Sequence, residues 1–294
     1  MIQESCTEKP SEQEAGMLQR IVANRAMLAG CLIIFLFVFT AIFTSWLSPF
    51  DPFAQSIRMR LRAPGDPHWL GTDGYGRDIL SRIIWGSRIS LTVGVVAVAI
   101  GATLGILVGL VAGFFGGGVD NLLMRIIDIL LVLPTILLAL VIVAMLGPGV
   151  FNLMIAVGIA NAPRFARVIR AEVLAVKQMV FVNAASALGA SSIRLMARHI
   201  LPNTLASILV LSTLRIAQAI TTEASLSFLG LGVPPPTPTW GSMIADGRIY
   251  LRTSPWVAII PGIMIMLIVM AFNLFGDGLR DLLDPKLRGS KGRE

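Results

Sequence analysis

The sequence is short of charge, of histidine and of cysteine. Only 14% of its 294 residues are Asp, Glu, Lys or Arg, against about 25% in an ordinary soluble domain. A chain so lean in charge cannot clothe its own surface for water. The histidines are just two, His68 and His199, which excludes a His-rich metal cage. The cysteines are also two. Cys6 lies in a polar stretch and Cys31 inside an apolar run, so they form neither a disulfide framework nor a metal site. No G-x-x-x-x-G-K-[ST] loop occurs, so nucleotide binding of the Walker kind is absent. H-E-x-x-H and a Ser-His-Asp set are missing as well. The expectation is a chain that is not an enzyme and holds no cofactor, metal or ATP of its own.

Apolar residues are what the sequence has in abundance: 55% of the chain, for a mean hydropathy of +0.79. Lipid is the solvent that suits this composition. The formal net charge is +7. No basic stripe is interleaved with aromatics in a soluble-looking segment, so nucleic acid is not expected as a partner. Basic loops beside membrane spans and anionic lipid headgroups account for the charge.

About six transmembrane helices are expected in an all-α, polytopic arrangement. Residues 1–25 read as a polar tail. Ala26 to Leu47 carries no charge and is long enough to cross a bilayer, with Trp46 as an interfacial anchor. It is not a signal peptide, because the polar lead is long and acidic and no A-x-A site follows. A long hydrophilic interval, 48–88, comes next. The core, 89–275, then holds spans at Ile89 to Phe115, Leu122 to Leu146, Val150 to Ala166, Thr204 to Leu231 and Trp256 to Leu274, and a basic tail covers 276–294. With the N-terminus inside, about fifteen Lys and Arg fall on the inner segments and about eight on the outer ones. That bias places both termini in the cytoplasm and residues 48–88 outside, although six arginines in that first outer loop run against it.

Within the second expected span Gly101, Gly105, Gly109 and Gly113 recur every fourth residue, which lines one helical face with small residues. Such a face lets another helix approach closely, though a Gly-rich helix can repeat by chance. Three ionisable residues sit inside expected spans: Asp128, Arg215 and Glu223. Each is expensive in lipid unless hydrated or paired. They fit the lining of a water-filled path, and equally an interhelical ion pair or, for Asp128, snorkelling at a helix end.

The stretch Leu174 to Asn203 is too polar for lipid and too apolar for a plain linker. Phe181, Ala184, Ala185 and Leu188 share one helical face, Gly189 can end that helix, and Ser191 or Ser192 can cap a second with Ile193, Met196 and Ile200 in register. Pro202 is expected to stop it before the next span. The apolar face either docks on a partner or folds back on the chain's own spans. The order Ala184-Ala185, Gly189, Leu201-Pro202 resembles the EAA signature of binding-protein-dependent ABC transporter permeases, in which a cytoplasmic loop couples to the ATPase. Asn183 stands in place of the usual Glu, and His199 in place of the usual Ile.

Three further stretches resemble the C-type permease subunit of dipeptide, oligopeptide and glutathione importers. They are His68-Trp69-Leu70-Gly71-Thr72-Asp73 through Gly76-Arg77-Asp78 to Ser90-Leu91, Glu223-Ala224-Ser225-Leu226-Ser227-Phe228-Leu229-Gly230-Leu231-Gly232, and Gly276-Asp277-Gly278-Leu279-Arg280 with Asp284-Pro285. The resemblance implies one span ahead of a five-helix core in the bacterial cytoplasmic membrane. It also implies a second permease subunit, two ATP-binding subunits that use ATP and magnesium, an extracytoplasmic binding protein and a peptide substrate. A nickel importer of the same family and a stand-alone secondary transporter are the competing readings. The latter has no need of the Ala-Ala…Gly…Leu-Pro loop. An intramembrane enzyme is disfavoured, since neither histidine falls in a span.

Overall fold

The computed structural model describes residues 24–283. The polar N-terminal stretch with Cys6, Lys9 and Arg20, and the basic end with Asp284-Pro285, Lys286, Arg288, Lys291 and Arg293, lie outside the described residues. The described chain is helical, with one isolated bridge, between Thr72 and Asp78, as its β pairing.

Nine helices organise it. They are α1 (Arg25–Ile42), α2 (Ile79–Phe115), α3 (Gly117–Val132), α4 (Thr135–Leu146), α5 (Val150–Lys177), α6 (Val180–Ala187), α7 (Ser192–Phe228), α8 (Trp240–Gly247) and α9 (Trp256–Leu283). By length and composition α1, α2, α7 and α9 can each cross a membrane. The pair α3 and α4 would make a fifth span, bent by 94°. Leu133 is extended because the ring of Pro134 disfavours a helical residue before it, and the expected third span breaks there. The span expected at Val150 to Ala166 falls on α5, which is long but carries Asn161, Arg164, Arg167 and Arg170. It lies at the centre of the bundle, where neighbouring helices spare it a fully apolar surface.

Several boundaries move from where hydropathy puts them. The helix expected from Ile89 begins at Ile79, because Asp78 caps it by accepting from the Ser81 amide at 2.7 Å. The span expected to end at Ala166 continues to Lys177, with Pro163 inside the helix. The tail expected from Gly276 is helical to Leu283, since Gly276 lies against Thr213 and Leu214, and Gly278 against Met27. Pro202 does not stop its helix. A π turn over Leu195–Ile200 sends the Leu201 amide five residues back to the Met196 carbonyl, and the chain runs through the proline without ending.

The core sits between α2 and α5, which pack along most of their length and are joined by α4 and α7. At one end of α2 the interval 48–78 and α8 form a cap around Ile79, Ile83 and Met243. At the other end Val173, Val182, Leu195 and Ile200 form a separate cluster. Helix α1 lies against α9, with Gly30 backed onto the Ala271 carbonyl, while Leu32, Phe35 and Leu36, and Trp46 just beyond the helix, project outward as a lipid-facing surface would.

Candidate functional site

Gly101, Gly105, Gly109 and Gly113 all face α5. A Cβ built on Gly101 would stand 2.7 Å from the Gly158 carbonyl oxygen, one on Gly105 2.6 Å from that of Ala162, and one on Gly109 2.5 Å from that of Ala166. At Gly113 the neighbour is the Val173 side chain at 2.8 Å. The α2–α5 approach is therefore set by backbone against backbone, and any side chain at the first three positions pushes the helices apart.

At the end where α2 and α5 finish, residues 178–200 fold into a hook. Helix α6 runs Val180–Ala187, and Gly189 turns the chain with φ +83°. The Ala190 amide reaches back to the Ala185 carbonyl at 3.1 Å, closing the C-terminal turn. Ser191 then caps α7, its hydroxyl oxygen accepting from the Arg194 amide at 3.4 Å. Val182, Leu195 and Ile200 hold the hook onto Ile169 and Val173 of α5. The periodic set Ile193, Met196, Ile200 does not share a face: the π turn puts Leu195 and Ile200, five apart, inward and leaves Ile193 75% exposed. Phe181, Val180 and Leu188 also stand out from the hook, Leu188 at 88% exposure. Ala184 and Asn183 are exposed, Ala185 leans on the core, and the His199 ring lies 6.5 Å from that of Phe181. One face of the loop thus packs on the chain's own helices and another is exposed.

Leu201 and Pro202 carry the hook into the rest of α7 without a break in the helix. In the second half of α7, Arg215 and Glu223 part company. Glu223 is completely enclosed; its carboxylate accepts from Ser227 Oγ at 2.8 Å and Ser90 Oγ at 3.4 Å. Glu223 therefore does not face Arg215 here but knits α7 to α2 with hydroxyl donors. Ser90 Oγ lies 3.4 Å from the Trp240 amide as well, which ties in α8. Arg215 points elsewhere, to the side-chain oxygen of Gln218, which also accepts from Arg164 of α5 at 3.0 Å. Asp128 pairs with Arg167 across α3 and α5, both of them exposed. Arg170 grips Asp120 with two 2.5 Å bonds, a bidentate clamp between the same two helices.

The opposite end carries a charged cluster that sequence reasoning had named only as part of a motif. Asp73 binds Arg77 Nε at 2.7 Å and lies 3.5 Å from Arg82 Nε, and Arg77 reaches Asp246 of α8 at 3.6 Å. Burial pushes the Asp246 carboxyl above its usual range, while Arg77 and Arg82 pull it back. Asp78 bonds His68 Nδ1 at 2.9 Å besides capping α2. Sequence patterns gave no sign of Asp246, Arg164 or Gln218 as site residues. Among the described residues no three His, Cys, Asp or Glu side chains come together as a metal site.

Comparison with known proteins agrees with this architecture. Residues 105–289 match the family described as binding-protein-dependent transport system inner membrane component. Residues 15–64 match the N-terminal transmembrane domain of oligopeptide transport permease C. The chain is 44% identical to the dipeptide transport system permease protein of Alkalihalophilus pseudofirmus, over 92% of this chain and 89% of that one. It is 45% identical to the di/tripeptide transport system permease protein of Pseudomonas aeruginosa, over 92% of each. With the glutathione transport system permease protein of Escherichia coli it shares 48% identity over 90% of this chain and 88% of the other. With a bundle of apolar helices, a hook at one end of α7 and matches over nine-tenths of its length, the chain belongs to the binding-protein-dependent transport system inner membrane components, the permeases of ABC importers.

Proposed function

We propose that this chain forms half of the translocation path for di- and oligopeptides across the bacterial cytoplasmic membrane, with both termini and the hook in the cytoplasm. A second permease subunit supplies the other half. Two ATP-binding subunits, which hold ATP and magnesium, dock on the hook, and an extracytoplasmic binding protein delivers peptide to the end built from residues 48–78 and α8. The observation that carries this reading is the hook itself. It presents Val180, Phe181, Leu188 and Ile193 to a partner and is continuous with α7, the helix whose middle holds Arg215. A short helix set in a partner's groove is a recurring mode of recognition. The peptide assignment leans on the names of the relatives.

The test is uptake of labelled dialanine by proteoliposomes holding the full assembly. Uptake should require ATP and should vanish when this subunit is left out. Uptake without ATP, or accumulation of nickel with no peptide entering, overturns the proposal.

A further inference from the structure

Two guanidinium groups meet inside the bundle with no carboxylate between them. Arg164 of α5 and Arg215 of α7 both donate to one neutral acceptor, the side-chain oxygen of Gln218. Neither forms an ion pair with any carboxylate among the described residues. Arg215 Nε is enclosed and has no hydrogen-bond partner. One amide oxygen cannot satisfy ten N–H donors, and two like charges held together in a medium of low dielectric repel strongly. A charge in a membrane span persists where it meets water, a counter-charge or a functional ligand. The other arginines of α5 show the contrast, since Arg167 has Asp128 and Arg170 has Asp120.

The pair also lies on a polar stripe. At 3.6 residues per turn Arg215, Gln218, Thr222 and Ser225 fall within about 80° of arc on α7. Leu205 and Leu209, exposed as lipid-facing residues are, occupy the far side of the same helix. The stripe therefore lies on the side of α7 away from the lipid-suited leucines. Arg215 is thirteen residues from the Phe228 end of α7, about 20 Å along the axis, and Arg164 is fourteen residues from the Val150 end of α5, about 21 Å. Both guanidiniums therefore stem from the middle depth of the bundle.

We propose that Arg164 and Arg215, positioned by Gln218, form an anion site on the translocation path that takes the free carboxylate of the transported molecule. This rests on the peptide-permease reading and names the substrate feature the permease itself recognises. Arginine is the side chain suited to the task, because its planar fork matches a carboxylate and it keeps its charge. Gln218 holds the fork in place while the path is empty and is a neutral acceptor that an incoming carboxylate can outcompete.

The experiment compares dialanine with dialanine amide in proteoliposomes, each supplied at the concentration that half-saturates the binding protein. A charge-assisted contact of ordinary strength corresponds to roughly tenfold or more in rate. Arg215→Gln and Arg164→Gln should each lower dialanine uptake about tenfold while changing amide uptake little, and Arg215→Lys should restore much of the dialanine rate. If acid and amide fall by the same factor, or Lys fails as badly as Gln, or Gln costs nothing, the carboxylate site is wrong. Should the amide not enter even through the wild type, the Lys-versus-Gln contrast decides. Release of the second permease subunit from Arg215→Gln on gel filtration also overturns the proposal, because the pair would then be holding a carboxylate of that subunit. Failure of wild-type assemblies to take up any peptide is a separate outcome, which overturns the peptide reading instead.

Discussion

Glu223 illustrates how a single residue can look like a pore lining in sequence and be a structural knot in space. Its carboxylate is shut in among Ser227, Ser90 and the start of α8, so its work is to join three helices by hydroxyl hydrogen bonds. Gly105 shows the reverse, a residue whose importance is what it lacks. The space beyond its Cα is filled by the Ala162 carbonyl, the Ala166 amide and Phe165. Backbone atoms cannot step aside as a flexible side chain can, so Gly105→Leu must separate α2 from α5. The expected cost exceeds the roughly 1–3 kcal/mol typical of overpacking. A thermal melt of the detergent-solubilised assembly checks it: Gly105→Leu should lower the midpoint by several degrees or fail to assemble. Gly118→Leu, at a position with no atoms within 4 Å of a built Cβ, should stay close to the wild type. Equal melting of the two variants would mean the seam does not set the helix spacing.

At the scale of elements, the cap of α2 organises one end of the molecule. Asp78 satisfies the Ser81 amide and hydroxyl, each at 2.7 Å, and holds His68, all in a buried setting. Asp78→Ala removes a cap worth about 1 kcal/mol and strands buried donors worth about 1–3 kcal/mol more. Asp78→Asn, which keeps one acceptor oxygen, should lose less. Protease sensitivity of the interval 48–78 is the readout: faster cleavage in Asp78→Ala than in Asp78→Asn is expected, and equal rates would show the interval to be held by something else. This cap also explains what could and could not be read beforehand. The long apolar runs announced α1, α2, α7 and α9, because hydropathy records which surfaces meet lipid. The first turns of α2 escaped notice because Ser81, Arg82, Ser87 and Arg88 read as loop, whereas Ser81, Arg82 and Ser87 are in fact buried against the cap. The elbow at Gly189 was legible from local chemistry alone, since an αL turn needs glycine. The π turn before Pro202 was not, because it depends on how Leu195 and Ile200 dock on α5. The Arg164–Gln218–Arg215 cluster joins residues about fifty apart in sequence, a contact that no local pattern encodes.

For the whole molecule, orientation and coupling go together: the hook can meet ATP-binding subunits only from the cytoplasm. Single cysteines at Gln55 and Ser192, in a background without Cys6 and Cys31, report on it through an impermeant thiol reagent. Gln55→Cys should label in intact cells and Ser192→Cys only after the membrane is opened; labelling of position 192 from outside would invert the topology. The coupling claim itself turns on Gly189. Nothing lies within 4 Å of a Cβ built there, so a substitution acts through the backbone alone, at about 1–2 kcal/mol for an ordinary residue held at positive φ. Asn tolerates that conformation, and a β-branched residue does not. The most direct measurement is therefore binding-protein-stimulated ATP hydrolysis and dialanine uptake, recorded together in proteoliposomes carrying Gly189→Asn or Gly189→Val with wild-type partners. Gly189→Asn should keep both activities near the wild type, while Gly189→Val should insert normally yet lose most of both. Wild-type rates of hydrolysis and uptake in Gly189→Val, with the ATP-binding subunits still attached, would contradict the claim that the hook carries the force of ATP hydrolysis into α7.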